Sequence, residues 1–173
     1  FTPAIVDGID DVVQLEGAND SAGMTTCARL RNGEVLCWGR RPGMCGRSDR
    51  GPCLRPRSMP IPHAIDVAVG VTMACAVHAD GTVTCWAEDD EGVDAPVVVH
   101  GIHDAIDVAA ESDACAVLSD GSVLCFSSYE RGHVPRAVEG LPAMRSVRTV
   151  GTSGFAGVAR DGTEWTWHTN LIN

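Results

Sequence analysis

Four segments of one pattern recur along this 173-residue chain, and a fixed repeat limits the possible folds more than any single motif does. CARLRNGEVLCW begins at Cys27, CAVHADGTVTCW at Cys75, CAVLSDGSVLCF at Cys115 and AGVARDGTEWTW at Ala156. Their turn glycines, Gly33, Gly81, Gly121 and Gly162, stand 48, 40 and 41 residues apart. A second element precedes each: IDDVVQL, AIDVAVG, AIDVAAE and, more loosely, MRSVRTVG. A third lies upstream of that: PAIVDGI at Pro3, PVVVHGI at Pro96 and PRAVEGL at Pro135, with a shortened form in PIPHAI near Pro60. The chain therefore reads as one domain of four units, approximately 1–59, 60–95, 96–134 and 135–173.

The residue types make each unit all-β. The segments are rich in Val, run four to seven residues and end at Gly, Pro or Asp, which is the pattern of short strands. No stretch sustains a 3.6-residue apolar period with caps, so little helix is expected. Asn32-Gly33, Asp80-Gly81, Asp120-Gly121 and Asp161-Gly162 each lie between two strand-like runs, where Asn or Asp tolerates the turn and Gly takes a positive φ.

The cysteines select the hairpin register. A three-residue loop at 31–33 pairs Leu30 with Glu34 and therefore Cys27 with Cys37, on a non-hydrogen-bonded rung where Cα atoms lie about 4.5 Å apart. That separation permits a disulfide. Cys75 with Cys85 and Cys115 with Cys125 repeat the spacing, whereas a two-residue loop would turn the sulfurs to opposite faces. Cys45 and Cys53, in the insertion that lengthens the first interval, are left to pair with each other. Structural zinc is the rival use, but a nine-residue gap across a hairpin does not supply its convergent CxxC pairs. Four disulfides imply an oxidising compartment: secreted, periplasmic or cell-surface.

These residues resemble the repeat of the regulator of chromosome condensation family, in CARLRNGEVLCWG, CAVHADGTVTCW and the strand before each. The resemblance covers nearly the whole chain. It implies a β-propeller, commonly of seven blades, each a four-stranded antiparallel sheet. The cysteine-bearing form is similar to extracytoplasmic bacterial members rather than to the nuclear exchange factor. Where family repeats continue into an Asn-rich loop and a Gly-Gln-Leu-Gly-like turn, this chain has RRPGMCG, AEDDEG and SSYERG. The fourth unit carries Ala156 and Thr166 in place of a cysteine pair. Seven such blades need on the order of 280–350 residues, so four units suggest an incomplete ring, or one completed by an oligomer. Its unpaired edges then require a cover, either a protein partner or another copy of the chain.

Charge sets a second boundary. All 13 cationic side chains are arginine, against 23 Asp and Glu, for a net charge of −10. A general nucleic-acid binder is not expected from that balance. Six arginines (Arg40, Arg41, Arg47, Arg50, Arg55 and Arg57) crowd residues 40–57 beside one acid, Asp49, so this stretch carries +5. Guanidinium forks suit carboxylate, sulfate or phosphate, and equally an acidic protein surface, while the plain alternative is a solvated, disulfide-tied loop.

Other chemistry is sparse. There is no GxSxG, HExxH or GxxxxGK motif, and without lysine there is no Schiff-base chemistry. His100 and His103 beside Asp104 read as surface residues rather than a metal site, and His63, His78, His133 and His168 complete the set. The run Glu88-Asp89-Asp90-Glu91 lacks the alternating ligands of a calcium loop. Trp38, Trp86 and Trp165, with Phe126 and Trp167 at comparable places, recur as blade packing requires. Asn19-Asp20-Ser21 forms a glycosylation sequon in what reads as an exposed loop. No apolar run approaches membrane-spanning length. The opening residues FTPAIVDGID show no export signal, which is expected to have been removed or to lie outside the chain. The expected role is that of a secreted or surface protein-binding scaffold with no cofactor and no catalysis. A lyase or hydrolase with its site at the propeller axis is the alternative, and a guanine-nucleotide-exchange regulator is the third reading.

Overall fold

The computed structural model describes residues 2, 4–20, 23–40, 45, 52–89, 92–93, 96–127, 134–151 and 154–169. Among these every regular element is a strand, as the short Val-rich runs dictate. Strands β1 (Val12–Asp20), β2 (Gly23–Leu30), β3 (Val35–Gly39) and β4 (Cys53–Ser58) form the first antiparallel blade in chain order. The second contains β5 (Ala64–Val69), β6 (Met73–His78) and β7 (Val83–Asp89), with the two-residue strands β8 (Gly92–Val93) and β9 (Val97–Val98) both paired to β7. Next come β10 (Ala105–Ala110), β11 (Asp113–Leu118), β12 (Val123–Ser127) and β13 (Arg136–Ala137). The fourth sheet has three strands, β14 (Met144–Val150), β15 (Gly154–Ala159) and β16 (Glu164–His168).

Each central hairpin closes on the three-residue loop anticipated from the cysteines. The Leu30 amide donates to the Glu34 carbonyl and the Gly33 amide to the Leu30 carbonyl, and the same pair of bonds recurs at His78, Leu118 and Ala159. Asn32, Asp80, Asp120 and Asp161 brace these turns by accepting from the backbone N–H two residues on. For the three aspartates the turn hydrogen bonds hold the carboxyl below the ordinary Asp range. The register then sets Cys27 opposite Cys37, Cys75 opposite Cys85 and Cys115 opposite Cys125, with Cα separations of 4.0–4.1 Å and a disulfide in each. Cys45–Cys53 closes the fourth bridge. In the chain-entropy account each ten-residue bridge contributes about 2–3 kcal/mol. Ala156 and Thr166 occupy the corresponding rung of the fourth blade.

The sheets are offset from the sequence units. The Pro96 and Pro135 segments do not open the third and fourth blades; their strands β9 and β13 pair outward on β7 and β12 and finish the preceding blade. In the first blade Arg57 lies opposite Cys37 as Val97 lies opposite Cys85, so the matching proline is Pro56 rather than Pro60. Part of the arginine-rich stretch is thus strand, not loop. EGAND and GMTT likewise belong to the long strands β1 and β2 instead of an exposed loop.

The core consists of three inter-blade interfaces. One face of each of the first three blades presents its cystine, a valine of the third strand and the apolar residue just after the outer strand, Met59, Val99 or Val138. The next blade answers with inner-strand residues and one large aromatic: Trp86 against the first blade, Phe126 against the second, Trp167 against the third. The turn glycines complete these contacts, because their carbonyls accept the amides of Ala64, Ala105 and Met144, the first residues of the next blade's inner strand.

Gly81 is held by two constraints at once. Its φ is +79°, and a Cβ there would stand 2.5 Å from the Asp104 Cα. Gly140 has a similar φ of +84° with nothing within 4 Å of the added atom. Gly140→Ala should therefore cost about 1–2 kcal/mol, the backbone term alone. Gly81→Ala should cost at least about 3 kcal/mol, since the neighbouring blade must also shift. Denaturant unfolding of the two variants measures the difference; equal losses would remove the glycine from the interface.

Candidate functional site

The first strand of every blade lines a shared central cleft. Each of these strands carries a bulge, and the residue just after it is Gln14 in β1, Asp66 in β5, Asp107 in β10 and Ser146 in β14. Three of the four side chains reach across to the following blade. Gln14 accepts from the Val67 amide at 3.3 Å, Asp66 from the Val108 amide at 2.9 Å and Asp107 from the Val147 amide at 2.6 Å. Gln14 Nε2 also donates to Asp66 Oδ1 at 2.7 Å, and Arg29 Nε donates to Gln14 Oε1 at 3.0 Å. The cleft measures about 150 Å³ and is walled by Gln14, Glu16, Asp66, Asp107 and Arg148 among valines and alanines.

Crowding carboxylates in a narrow cleft changes their titration. Burial pushes the Asp107 carboxyl up to about 7, against the opposing hydrogen bond from Val147 and with help from the nearby Asp66 and Glu16 charges. Burial also raises Glu16, with the Gln14 side chain opposing and Asp66 adding to the shift. A carboxyl that exchanges its proton near neutrality is chemically suited to acid–base work. Here it also carries an inter-blade hydrogen bond. None of these residues was singled out from the sequence. The available signal was the aspartate repeated in AIDV at residues 64–67 and 105–108.

The second candidate region is the outer side of the fourth blade. Among the described residues β16 has β15 on one side and no strand on the other. A groove of about 570 Å³ lies beside it, walled by residues 136–141 and 165–168. Trp167 is buried and stacks on Phe155 at a centroid distance of 6.2 Å, in the position of Trp86 and Phe126. Trp165 is not an equivalent of those aromatics. It sits two residues earlier, level with Thr84 and Leu124, and is exposed at the open edge. At the opposite end of the array, Leu15 is 60% exposed whereas its counterpart Val67 is 1% exposed.

Of the arginines, Arg40 follows β3, and Arg55 and Arg57 alternate along β4, all three exposed. Arg41, Arg47 and Arg50 lie outside the described residues. His100 and His103 are exposed, and His78 is instead buried, its Nε2 2.8 Å from Thr84 Oγ1. His133, Asp90, Glu91 and Ser21 are outside the described residues. Among the described residues no group of three or more His, Cys, Asp or Glu is placed to hold a metal ion, and no helix is long and apolar enough to cross a membrane.

No family model matches the chain. It is 31% identical over 126 residues to the E3 ubiquitin-protein ligase HERC2 of Mus musculus, a match that covers 64% of this chain and 3% of that protein. Human WBSCR16 superposes with a TM-score of 0.79 at 20% identity, over 96% of this chain and 50% of that one. Prp20p from Saccharomyces cerevisiae gives 0.77 at 18% identity, over 96% and 48%. The fold is therefore that of the RCC1-like β-propellers, and the chain spans about half the length of these solved propellers.

The Asp107 shift has a defined sign. The unfolded carboxyl ionises near 3.8 and the folded one near 7, so the native state keeps a proton that the unfolded state releases. Stability should fall as pH rises between about 4 and 7, with the penalty complete above that range. Asp107→Asn keeps an oxygen for the Val147 amide and removes the charge. The variant should show a flatter dependence of Tm on pH and, at pH 8, a gain of roughly 1–3 kcal/mol. An unchanged slope in thermal melts across pH 4–8 would contradict this assignment.

Proposed function

We propose that the chain is a protein-binding propeller scaffold that works outside the cytoplasm and has no chemistry of its own. The observation that carries this reading is apolar surface left open at both ends of the blade array. Leu15 and Val12 are exposed at positions whose counterparts in the other blades are buried, and Trp165 stands beside a groove at a strand edge that is unpaired among the described residues. Open edges and contiguous apolar surface mark places where another chain binds. The yeast relative supports the theme, since its structures concern a complex with Kap60 and binding to Gsp1p and histones. Four disulfides support the location, as thiols in a reducing cytosol do not stay paired. The exposed Arg55 and Arg57 give the same scaffold a basic strip suited to an acidic partner.

The axial carboxyls favour one other reading, a hydrolase or lyase that uses Asp107 as its acid or base. Two observations weigh against it. Asp66 and Asp107 each spend an oxygen on the next blade's backbone, and the cleft holds only a few water-sized molecules.

Blocking thiols in intact source cells before lysis tests the location, and cross-linking in the same cells tests the binding. The expected result is a fully oxidised chain cross-linked to a second protein through residues near Leu15 or Trp165. Reduced cysteines in the cytosolic fraction would overturn the location. Turnover of a hydrolase or lyase substrate that Asp107→Asn abolishes would overturn the non-catalytic role.

A further inference from the structure

The segment ahead of β1 has the sequence and shape of an outer strand that no blade is using. PAIVDGI at Pro3 matches PVVVHGI at Pro96 and PRAVEGL at Pro135 residue for residue in its proline, valine and glycine. In all three, the proline stands nine positions before the first residue of the following inner strand: Val12, Ala105 and Met144. Backbone angles agree as well. Gly8, Gly101 and Gly140 have φ of 85°, 89° and 84°, and Asp11 and Asp104 have φ of 56° and 57°. Those two aspartates are the described non-glycine residues with positive φ, and both immediately precede an inner strand. The segment thus already holds the conformation of an inter-blade connection.

What differs is its packing. Val99, the counterpart of Val6, is 1% exposed in the core between the second and third blades, whereas Val6 is exposed and Ile5 is 90% exposed. The fourth blade has the complementary deficit: among the described residues β16 ends the sheet, with Trp165 and a groove on its outer side.

We infer that residues 4–9 of one copy of this chain complete the fourth blade of a second copy, so that two half-rings close head to tail. The inference rests on the scaffold reading above. Transferred from the other blades, the register sets Ala4 opposite Thr166 and Ile5 opposite Trp165, as Val97 and Val98 lie opposite Cys85 and Thr84. The Val6 amide then donates to the Glu164 carbonyl, as Val99 donates to Val83 at 2.8 Å and Val138 to Val123 at 3.0 Å. Continuing along the segment, the Val12 amide meets the Gly162 carbonyl, as Ala105 meets Gly81 at 3.0 Å and Met144 meets Gly121 at 2.8 Å. The turn of Gly162 is open for this contact, with nothing within 4 Å of an added Cβ, whereas Gly81 and Gly121 already abut the next blade. The exposed face of Leu15 is covered in the same step. A second copy fits because one chain carries both the unused strand and, among the described residues, the open edge that matches it, and the chain overlays 50% and 48% of two solved propellers.

Light scattering on the purified oxidised chain should give a particle of twice 18.2 kDa. Val6→Asp changes a residue that is exposed in the single chain, so circular dichroism should be unaltered while dissociation becomes at least tenfold easier. Mixing an Ile5→Cys chain with a Trp165→Cys chain places the two thiols on a non-hydrogen-bonded rung of the new pair, and an intermolecular disulfide should form under mild oxidation. A native particle of 18.2 kDa, a dimer indifferent to Val6→Asp, or failure of the mixed chains to link would each overturn strand exchange. If one chain carrying both Ile5→Cys and Trp165→Cys instead links within itself, the ring closes on itself and the second copy is excluded. The scaffold reading survives any of these results provided that a different protein is cross-linked near Leu15 or Trp165, so the two claims fail separately.

Discussion

The three-residue hairpin turn is the constraint on which the rest of the structure depends. Its closing pair fixes which residues face each other across the second and third strands. Because side chains alternate with a period of two, that one choice decides which of them enter each inter-blade interface. Shortening the loop by a residue would separate every cysteine pair and turn the buried valines outward. The same turn fixes the blade-to-blade distance, since its glycine lends a carbonyl to the next inner strand and has no side chain to obstruct the approach. Local register and long-range packing are therefore set by the same few residues.

This arrangement explains how a chain with little aromatic content makes a continuous core. No blade buries its own two faces. Each relies on the neighbour, through Trp86, Phe126 or Trp167 on one side and a cystine with valine on the other. Stability in such arrays is close to a sum of nearest-neighbour contacts. The terminal blades necessarily show what the inner ones hide. At one end that is the Val12 and Leu15 face, and at the other the β16 edge, where alanine and threonine stand in place of the disulfide.

The hairpins, their register and all four disulfides were legible in the sequence, because they arise from residues within about ten positions of one another. The axial ladder was not. The partner of Asp66 is the Val108 amide and that of Asp107 is the Val147 amide, both some 40 residues away, so the repeated AIDV marks a recurring position without naming what the aspartate binds. The sheets are offset from the sequence units for a related reason. The prolines at 96 and 135 look like starts of units, yet their strands finish the preceding sheet, a pairing settled only by tertiary contact. In the first blade an eight-residue insertion sets the matching proline at Pro56, four residues before the similar PIPHAI. Trp165 was grouped with the packing aromatics because WTW offers two tryptophans, and only the strand register separates the buried Trp167 from the exposed Trp165.

A disulfide map of the native chain, made by digestion without reduction and mass spectrometry of the linked peptides, tests the hairpin register most directly. The expected map joins Cys27 to Cys37, Cys45 to Cys53, Cys75 to Cys85 and Cys115 to Cys125, with no free thiol. A bridge between blades, such as Cys37 to Cys75, or free thiols at the three hairpin pairs would show that the turns do not close as described.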